Sequence, residues 1–213
     1  MNRGLAKKYG RLATKAVALV AVMAATLTAG KMALAAIPNV EIVTLLCALY
    51  GYVFGGMGVF ASLIFVAIEP LIWGYGGWVI TYLCHWPVVA LVFWGLSRAR
   101  LKNRLLLALV AGVLTVWFGV FSSMVDVGLF TGGENFGERF AIYYARGVWF
   151  YVTQIACNLL LFPIAFRPLA TLLGKLHRRM FPRALPKEPA DLPDEVEPAC
   201  PPPEEQTTDS HPN

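Results

Sequence analysis

Charged side chains are scarce in this sequence, at 15% of its 213 residues, whereas a soluble domain carries about 25%. Hydrophobic residues make up 57%, and several apolar runs approach the roughly 20 residues that cross a bilayer. This deficit excludes an ordinary soluble fold and predicts an all-α integral membrane bundle. The net charge of +5 does not indicate nucleic-acid binding, because the basic residues cluster beside apolar segments.

Cysteine and histidine are also few, and their spacing excludes common metal and disulfide frameworks. The four cysteines form no CxxC, and no histidine lies near a cysteine pair. The sequence contains no HExxH, GxSxG or Walker motif. We therefore expect no metal, no cofactor and no catalytic residues in this chain, and a partner would have to supply any ATP hydrolysis.

The apolar runs predict six membrane segments inside a domain that covers residues 13–166. A basic N-terminus, 1–12, precedes it, and a basic segment, 167–187, follows it. The Pro-rich acidic tail, 188–213, has no apolar periodicity and is predicted to be disordered. The six predicted segments are about 13–35, 40–54, 57–73, 76–96, 105–125 and 141–166.

Two features of this arrangement stay open at the level of sequence. The first run ends at an Ala-Leu-Ala-Ala stretch, so a cleaved signal peptide over the first 36 residues is an alternative to a first helix. The hairpin over 40–73 has short arms, and it either spans the membrane or re-enters from one side.

Three basic clusters predict the orientation of the bundle. Lysine and arginine concentrate in residues 1–15, 98–104 and 167–187, and the positive-inside rule places these segments in the cytoplasm. Both termini are then cytoplasmic. Most of the remaining polar residues, including those of a predicted polar loop over 126–140, gather on the outer face.

Carboxylates and aromatic rings at the outer ends of the segments predict a binding site. Glu41 and Glu69 lie at the outer ends of two short apolar runs, where a charge is costly unless it is paired, hydrated or bound. Trp78, Tyr82 and His85 share one face of the fourth segment. We predict that these groups converge on one outward-facing cavity, whose rings, including Trp73 and Trp86, suit a flat or ring-bearing molecule such as a flavin or corrinoid. The complete set of predicted binding residues is Asn39, Glu41, Glu69, Trp73, Trp78, Tyr82, His85, Asn135 and Tyr151.

Each of these features also has a structural interpretation. The carboxylates would then be hydrated at the interface, Lys31 would bridge to Glu41, and the aromatic face would pack against a helix. For Gln154, a hydrogen bond between helices is the favoured role.

Small residues recur every four positions along the first segment. Ala21, Ala25 and Ala29 therefore share a helix face that would admit a second helix at close range. Since alanine is common in membrane helices, ordinary composition explains the same pattern.

Two motifs of the hairpin resemble a known family. The stretches IPNVEIVTLLCALYGYVFG and IEPLIWGYGGWVITYL resemble the substrate-binding S components of energy-coupling factor (ECF) transporters, and the resemblance covers about 13–166. Pro70 departs from the pattern, which has a small or polar residue after the glutamate.

The resemblance implies a function and a set of partners. An S component captures a vitamin or similar micronutrient from outside and docks, through an AxxxA pattern that Ala21 and Ala25 match, on a transmembrane T component driven by two cytoplasmic ATPases. It would act in a bacterial-type cell membrane. Two alternatives from other classes are a stand-alone proton-coupled carrier that uses Glu41 or Glu69, and a membrane subunit that only stabilises a complex.

Overall fold

A computed structural model describes residues 3–37, 40–131 and 134–182, with side chains from residue 10 onward. Within these residues the fold is all-α, as predicted. The helices are α1 (Arg3–Leu34), α2 (Val43–Phe54), α3 (Gly56–Trp73), α4 (Trp78–Arg98), α5 (Arg104–Thr131), α6 (Phe136–Leu161) and α7 (Arg167–Met180), with a π-helical turn (Phe162–Phe166) between the last two.

Five helical segments are long and apolar enough to cross a membrane, which confirms a multi-pass membrane bundle. They are Gly10–Leu34, Gly56–Trp73, Trp78–Arg98, Arg104–Thr131 and Phe136–Met180. The remaining helix of the bundle, α2, has only 12 residues. The predicted disordered tail, 188–213, lies outside the described residues.

The short helix α2 lies at the centre of the bundle, where nine of its 12 residues are buried. Glycines let its neighbours approach closely: a side chain at Gly51 would overlap the backbone of Ala90 on α4. One at Gly58 of α3 would overlap the backbone of Tyr50. The turn between α2 and α3 is made by Gly55, whose φ of +59° is unfavourable for other residues.

The α2–α3 hairpin crosses the bundle completely. The Tyr52 hydroxyl donates to the Leu101 carbonyl at 2.8 Å, and the rings of Phe54 and His177 lie 5.2 Å apart. Both contacts lie where the 99–103 loop and α7 meet, which we call the basic end. Helix α2 therefore reaches the basic end of the bundle, and α3 returns toward the opposite end.

Helix α1 separates its larger side chains from its alanine stripe. Leu19, Met23 and Leu27 are buried against the bundle. Ala21, Ala25 and Ala29 are exposed on the outer side of the helix. The stripe therefore remains open to a partner or to lipid and does not pack inside the bundle.

The prediction of a polar loop over 126–140 is wrong for most of that range, which is helical. Helix α5 continues to Thr131 because Val127 is fully buried and Leu129 and Phe130 continue the apolar pattern past Asp126. Helix α6 begins at Phe136, and its first turns carry a stack of rings at four-residue spacing. The two helices thus form a long hairpin.

The basic segment after residue 166 is also helical. The segment Phe136–Met180 is one continuous helix of 45 residues. At about 1.5 Å per residue this is about 68 Å, more than twice the hydrocarbon thickness of a bilayer. The π turn contains Pro163, which has no N–H for the regular ladder. Helix α7 therefore extends beyond the apolar region at the basic end.

Candidate functional site

A cavity of about 380 Å³ opens among the helices at the end of the bundle opposite the basic end. Such a volume lies in the range of small-molecule sites. The α1–α2 connection and five helices contribute to its wall. The lining residues are Lys31, Leu34, Ala35, Ile37, Val40, Glu41, Trp73, Trp78, Tyr82, Trp86, Phe118, Phe150 and Gln154.

Lys31 is the cation of this cavity, and both a carboxylate and aromatic rings surround it. Its ammonium group donates to Glu69, which is fully buried and forms with it the one salt bridge among the described residues. The same nitrogen lies 4.8 Å from the ring centroid of Tyr82, and 5.6 and 5.8 Å from those of Trp73 and Trp78. These distances permit cation–π attraction. Lys31 therefore connects the C-terminal end of α1 to the C-terminal end of α3 and to the start of α4.

Glu41 is the carboxylate that lines the cavity itself. It lies in the connection before α2 and accepts hydrogen bonds from the Thr44 hydroxyl at 2.6 Å and from the Gln154 amide. Burial raises the pKa of the Glu41 carboxyl above its usual value, and these two hydrogen bonds and the charge of Lys31 oppose that rise only in part. Burial therefore favours the protonated form of this carboxyl more than solvent exposure would.

Aromatic rings form the wall that descends from the cavity mouth along α4. Trp78, Tyr82 and Trp86 follow one another at four-residue spacing, with centroid distances of 5.1 and 5.5 Å. Phe118 of α5 lies 6.2 Å from Tyr82 and 6.3 Å from Trp86. Each successive pair is edge-on or tilted, a favourable geometry for aromatic contacts. The wall is therefore mostly apolar.

The structure brings together some of the predicted site residues and separates others. Glu41, Trp73, Trp78 and Tyr82 line the cavity, and Glu69 contacts it through Lys31. The alternative interpretation, in which Lys31 bridges to Glu41, is wrong, because Lys31 pairs with Glu69 instead.

The remaining predicted residues lie elsewhere. His85 is 2% exposed and lies behind the wall, 4.8 Å from the Phe118 ring, because four-residue spacing from Trp78 leads to Trp86 instead. Asn135 is exposed immediately before α6 and does not line the cavity. Tyr151 packs against Gly119 and Tyr144. Asn39 lies outside the described residues.

The lining residues that were not part of the predicted site include Lys31, Phe118, Phe150 and Gln154. A signal existed for Lys31, since a lone lysine in an apolar run needs a partner. Gln154 was recognised as a buried amide, but its partner is a carboxylate 113 positions away. No pattern in the sequence marks Phe118 or Phe150 among the other apolar residues of their helices.

The fold and the cavity define a multi-pass α-helical membrane protein with a small-molecule-sized pocket. No protein-family model, curated protein or solved structure matches the chain.

Proposed function

We propose that this protein is the substrate-binding subunit of an ECF-type transporter, and that it captures a micronutrient in the cavity at its outer end. The observation that carries the proposal is the cavity itself, in which one cation, one carboxylate and one amide face an aromatic wall. The hairpin motifs that resemble S components contribute Glu41, Trp73, Trp78 and Tyr82 to the lining of this cavity. The described helices account for a membrane bundle alone, so energy for uptake would come from partner ATPases.

The lining chemistry favours a flat, ring-bearing ligand with polar edges. Six aromatic side chains offer faces and edges for stacking: Trp73, Trp78, Tyr82, Trp86, Phe118 and Phe150. Lys31, Glu41 and Gln154 supply the few directional polar contacts that fix orientation in such pockets. A volume of about 380 Å³ suits a vitamin of one to three rings better than a macrocycle.

We expect Tyr82→Ala and Glu41→Gln each to weaken ligand binding by roughly 1–3 kcal/mol, because each removes a partner of a buried group. A thermal-shift screen of the purified protein against a vitamin panel would first identify the ligand. Quenching of tryptophan fluorescence would then give the affinities, since Trp73, Trp78 and Trp86 all line the cavity.

The matched control is Tyr75→Ala, at a ring that is 83% exposed outside the cavity. It should bind the ligand as the wild type does. A Glu41→Gln variant with lower thermal stability and unchanged affinity would show that Glu41 only holds Gln154 and Thr44 in place. The proposed role of the cavity would then be wrong.

The exposed alanine stripe of α1 supports docking on a transmembrane partner. We expect Ala25→Leu to leave ligand binding in detergent intact and to reduce uptake several-fold, because a bulky side chain would hold the partner helix away. Uptake would be measured in cells that also produce the T component and both ATPases.

Gly95→Leu is the control for that variant, since Gly95 is exposed on α4 and no atom lies within 4 Å of the position that a Cβ would take there. Equal loss of uptake in both variants would mean that any bulky change at the lipid surface impairs the protein. The alanine stripe would then have no special docking role.

A proton-coupled carrier is the second candidate, and Glu41 is the observation that favours it. A carboxyl whose pKa is raised by burial, beside a substrate-sized cavity, can couple proton binding to transport. Uptake that continues without any ATPase and stops when an uncoupler is added would support this function over the ECF one.

A further inference from the structure

A second cavity, of about 430 Å³, lies at the basic end of the bundle, between the 99–103 loop, α2, α5 and α7. Its polar rim carries Lys102, Arg167 and Arg178, and its floor includes the buried side chains of Leu107 and Phe166. We call it the basic groove. It shares no lining residue with the outer cavity.

The three cations of the basic groove have no carboxylate near them in the described part of the chain. The acidic residues of that part are Glu41, Glu69, Asp126, Glu134 and Glu138, which all belong to the other end of the bundle. Like charges that face one groove repel each other unless an anion lies between them. The arrangement therefore calls for an anionic ligand from outside the described chain.

Local backbone geometry keeps the groove open and aims its cations inward. Arg167, Gly174 and Arg178 lie seven and four residues apart, so they share one face of α7. Gly174 leaves space on that face, and the Arg178 guanidinium lies 3.7 Å from the position that a Cβ would take there. The Tyr52 hydroxyl, bonded to the Leu101 carbonyl, holds the loop that carries Lys102.

The position of the groove relative to the lipid-facing surface identifies the source of the anion. Leu105 of α5 and Ile164 of the π turn are each more than 70% exposed. The acyl chains of the lipid therefore begin at the level of these two residues. The Arg104 guanidinium reaches the Pro163 carbonyl at 3.4 Å and ties the same two elements together. A basic pocket with an apolar floor at the cytoplasmic interface is suited to a lipid phosphate.

We propose that the basic groove binds the phosphate of an anionic phospholipid, with Arg167, Arg178 and Lys102 around the phosphate oxygens and the glycerol end against Leu107 and Phe166. Arginine is suited to this task because its planar guanidinium can donate two parallel hydrogen bonds to a phosphate. The site is separate from the proposed transport function and does not depend on it.

The test uses the full chain, purified in detergent and titrated with phosphatidylglycerol or phosphatidylcholine. Native mass spectrometry counts retained lipids, and thermal unfolding measures stabilisation. We expect phosphatidylglycerol to be retained and to raise the melting temperature, and phosphatidylcholine to do neither. Arg178→Gln should weaken phosphatidylglycerol binding about fivefold to tenfold.

Arg179→Gln is the matched control, because it removes the same charge from the next residue of α7, which does not line the groove. It should bind phosphatidylglycerol as the wild type does. Gly174→Leu keeps every charge and fills the groove, so it should weaken binding as Arg178→Gln does.

Three results would overturn the proposal. Equal loss in Arg178→Gln and Arg179→Gln would show diffuse attraction by the whole helix, and unchanged binding in Gly174→Leu would show that the groove is not used. If inorganic phosphate or glycerol phosphate gave the same stabilisation as phosphatidylglycerol, the ligand would be a soluble phosphate instead of a lipid.

Discussion

Replacing Lys31 with methionine should lower the free energy of unfolding by about 3 kcal/mol, because the change leaves a buried carboxylate without its cation. Glu69 is fully buried, and Lys31 is its one partner among the described residues. The variant also loses the contacts between the ammonium group and the rings of Tyr82, Trp73 and Trp78. Unfolding by a denaturing detergent in mixed micelles would measure the loss.

The double variant Lys31→Met with Glu69→Gln separates the ion pair from simple loss of packing. Since no buried charge remains unpaired, it should recover a large part of the lost stability. Lys15→Met, at an exposed lysine of the same helix, should change stability by no more than about 0.5 kcal/mol. A single Lys31 variant as stable as the Lys15 variant would contradict a structural role for the pair.

The sequence did not identify which carboxylate pairs with Lys31. Glu41 and Glu69 both lie near the cavity end of the bundle, and the sequence places Lys31 there as well, without indicating which carboxylate it meets. In the structure α1 packs along α3, which brings Lys31 to Glu69, while Glu41 turns toward α6 and Gln154. Pairing between distant segments depends on helix packing, and a periodic pattern in one segment does not encode it.

The fold was largely predictable because its signals are local. Apolar runs marked the helices of the bundle, and hydropathy requires no knowledge of neighbours. The boundaries were less predictable where a polar residue interrupts an apolar pattern. Asp126 is charged and therefore resembles the end of an apolar segment, yet α5 continues past it because Val127 remains buried.

The candidate site was predictable only where one helix carries several of its residues. The spacing of Trp78 and Tyr82 on α4 identifies both, but it does not fix the small rotation that decides between His85 and Trp86. Phe118 and Phe150 enter the wall from α5 and α6, whose rotation is set by contacts with other helices. A site that several helices share therefore needs the packed structure.

The contact between α2 and α4 is a tight helix crossing that a single substitution would disrupt. A Cβ at Gly51 would overlap the carbonyl oxygen of Ala90, with the Ala90 Cα at 2.8 Å. These are backbone atoms, so no side-chain rotation can relieve the overlap, and the two helices must separate. We expect Gly51→Ala to lower the free energy of unfolding by roughly 2–3 kcal/mol.

Gly95→Ala provides the comparison, because nothing lies within 4 Å of its added methyl group on α4. It should be neutral or stabilising by up to about 1 kcal/mol, since alanine favours the helix over glycine. Both variants would be unfolded by denaturing detergent under the same conditions. Equal stability of the two would show that α2 and α4 are not in close contact at Gly51.

The same substitution should affect, through α4, the cavity that Lys31 and Glu41 line. Ala90 lies four residues after Trp86, and Trp86, Tyr82 and Trp78 form the aromatic wall on that helix. Displacing α4 from α2 would move these rings away from Lys31 and Glu41, which are held by α1 and by the start of α2. We therefore expect Gly51→Ala to weaken ligand binding as well as stability, whereas Gly95→Ala should leave ligand binding unchanged. Loss of stability with full ligand affinity would show that the wall keeps its geometry independently of this crossing.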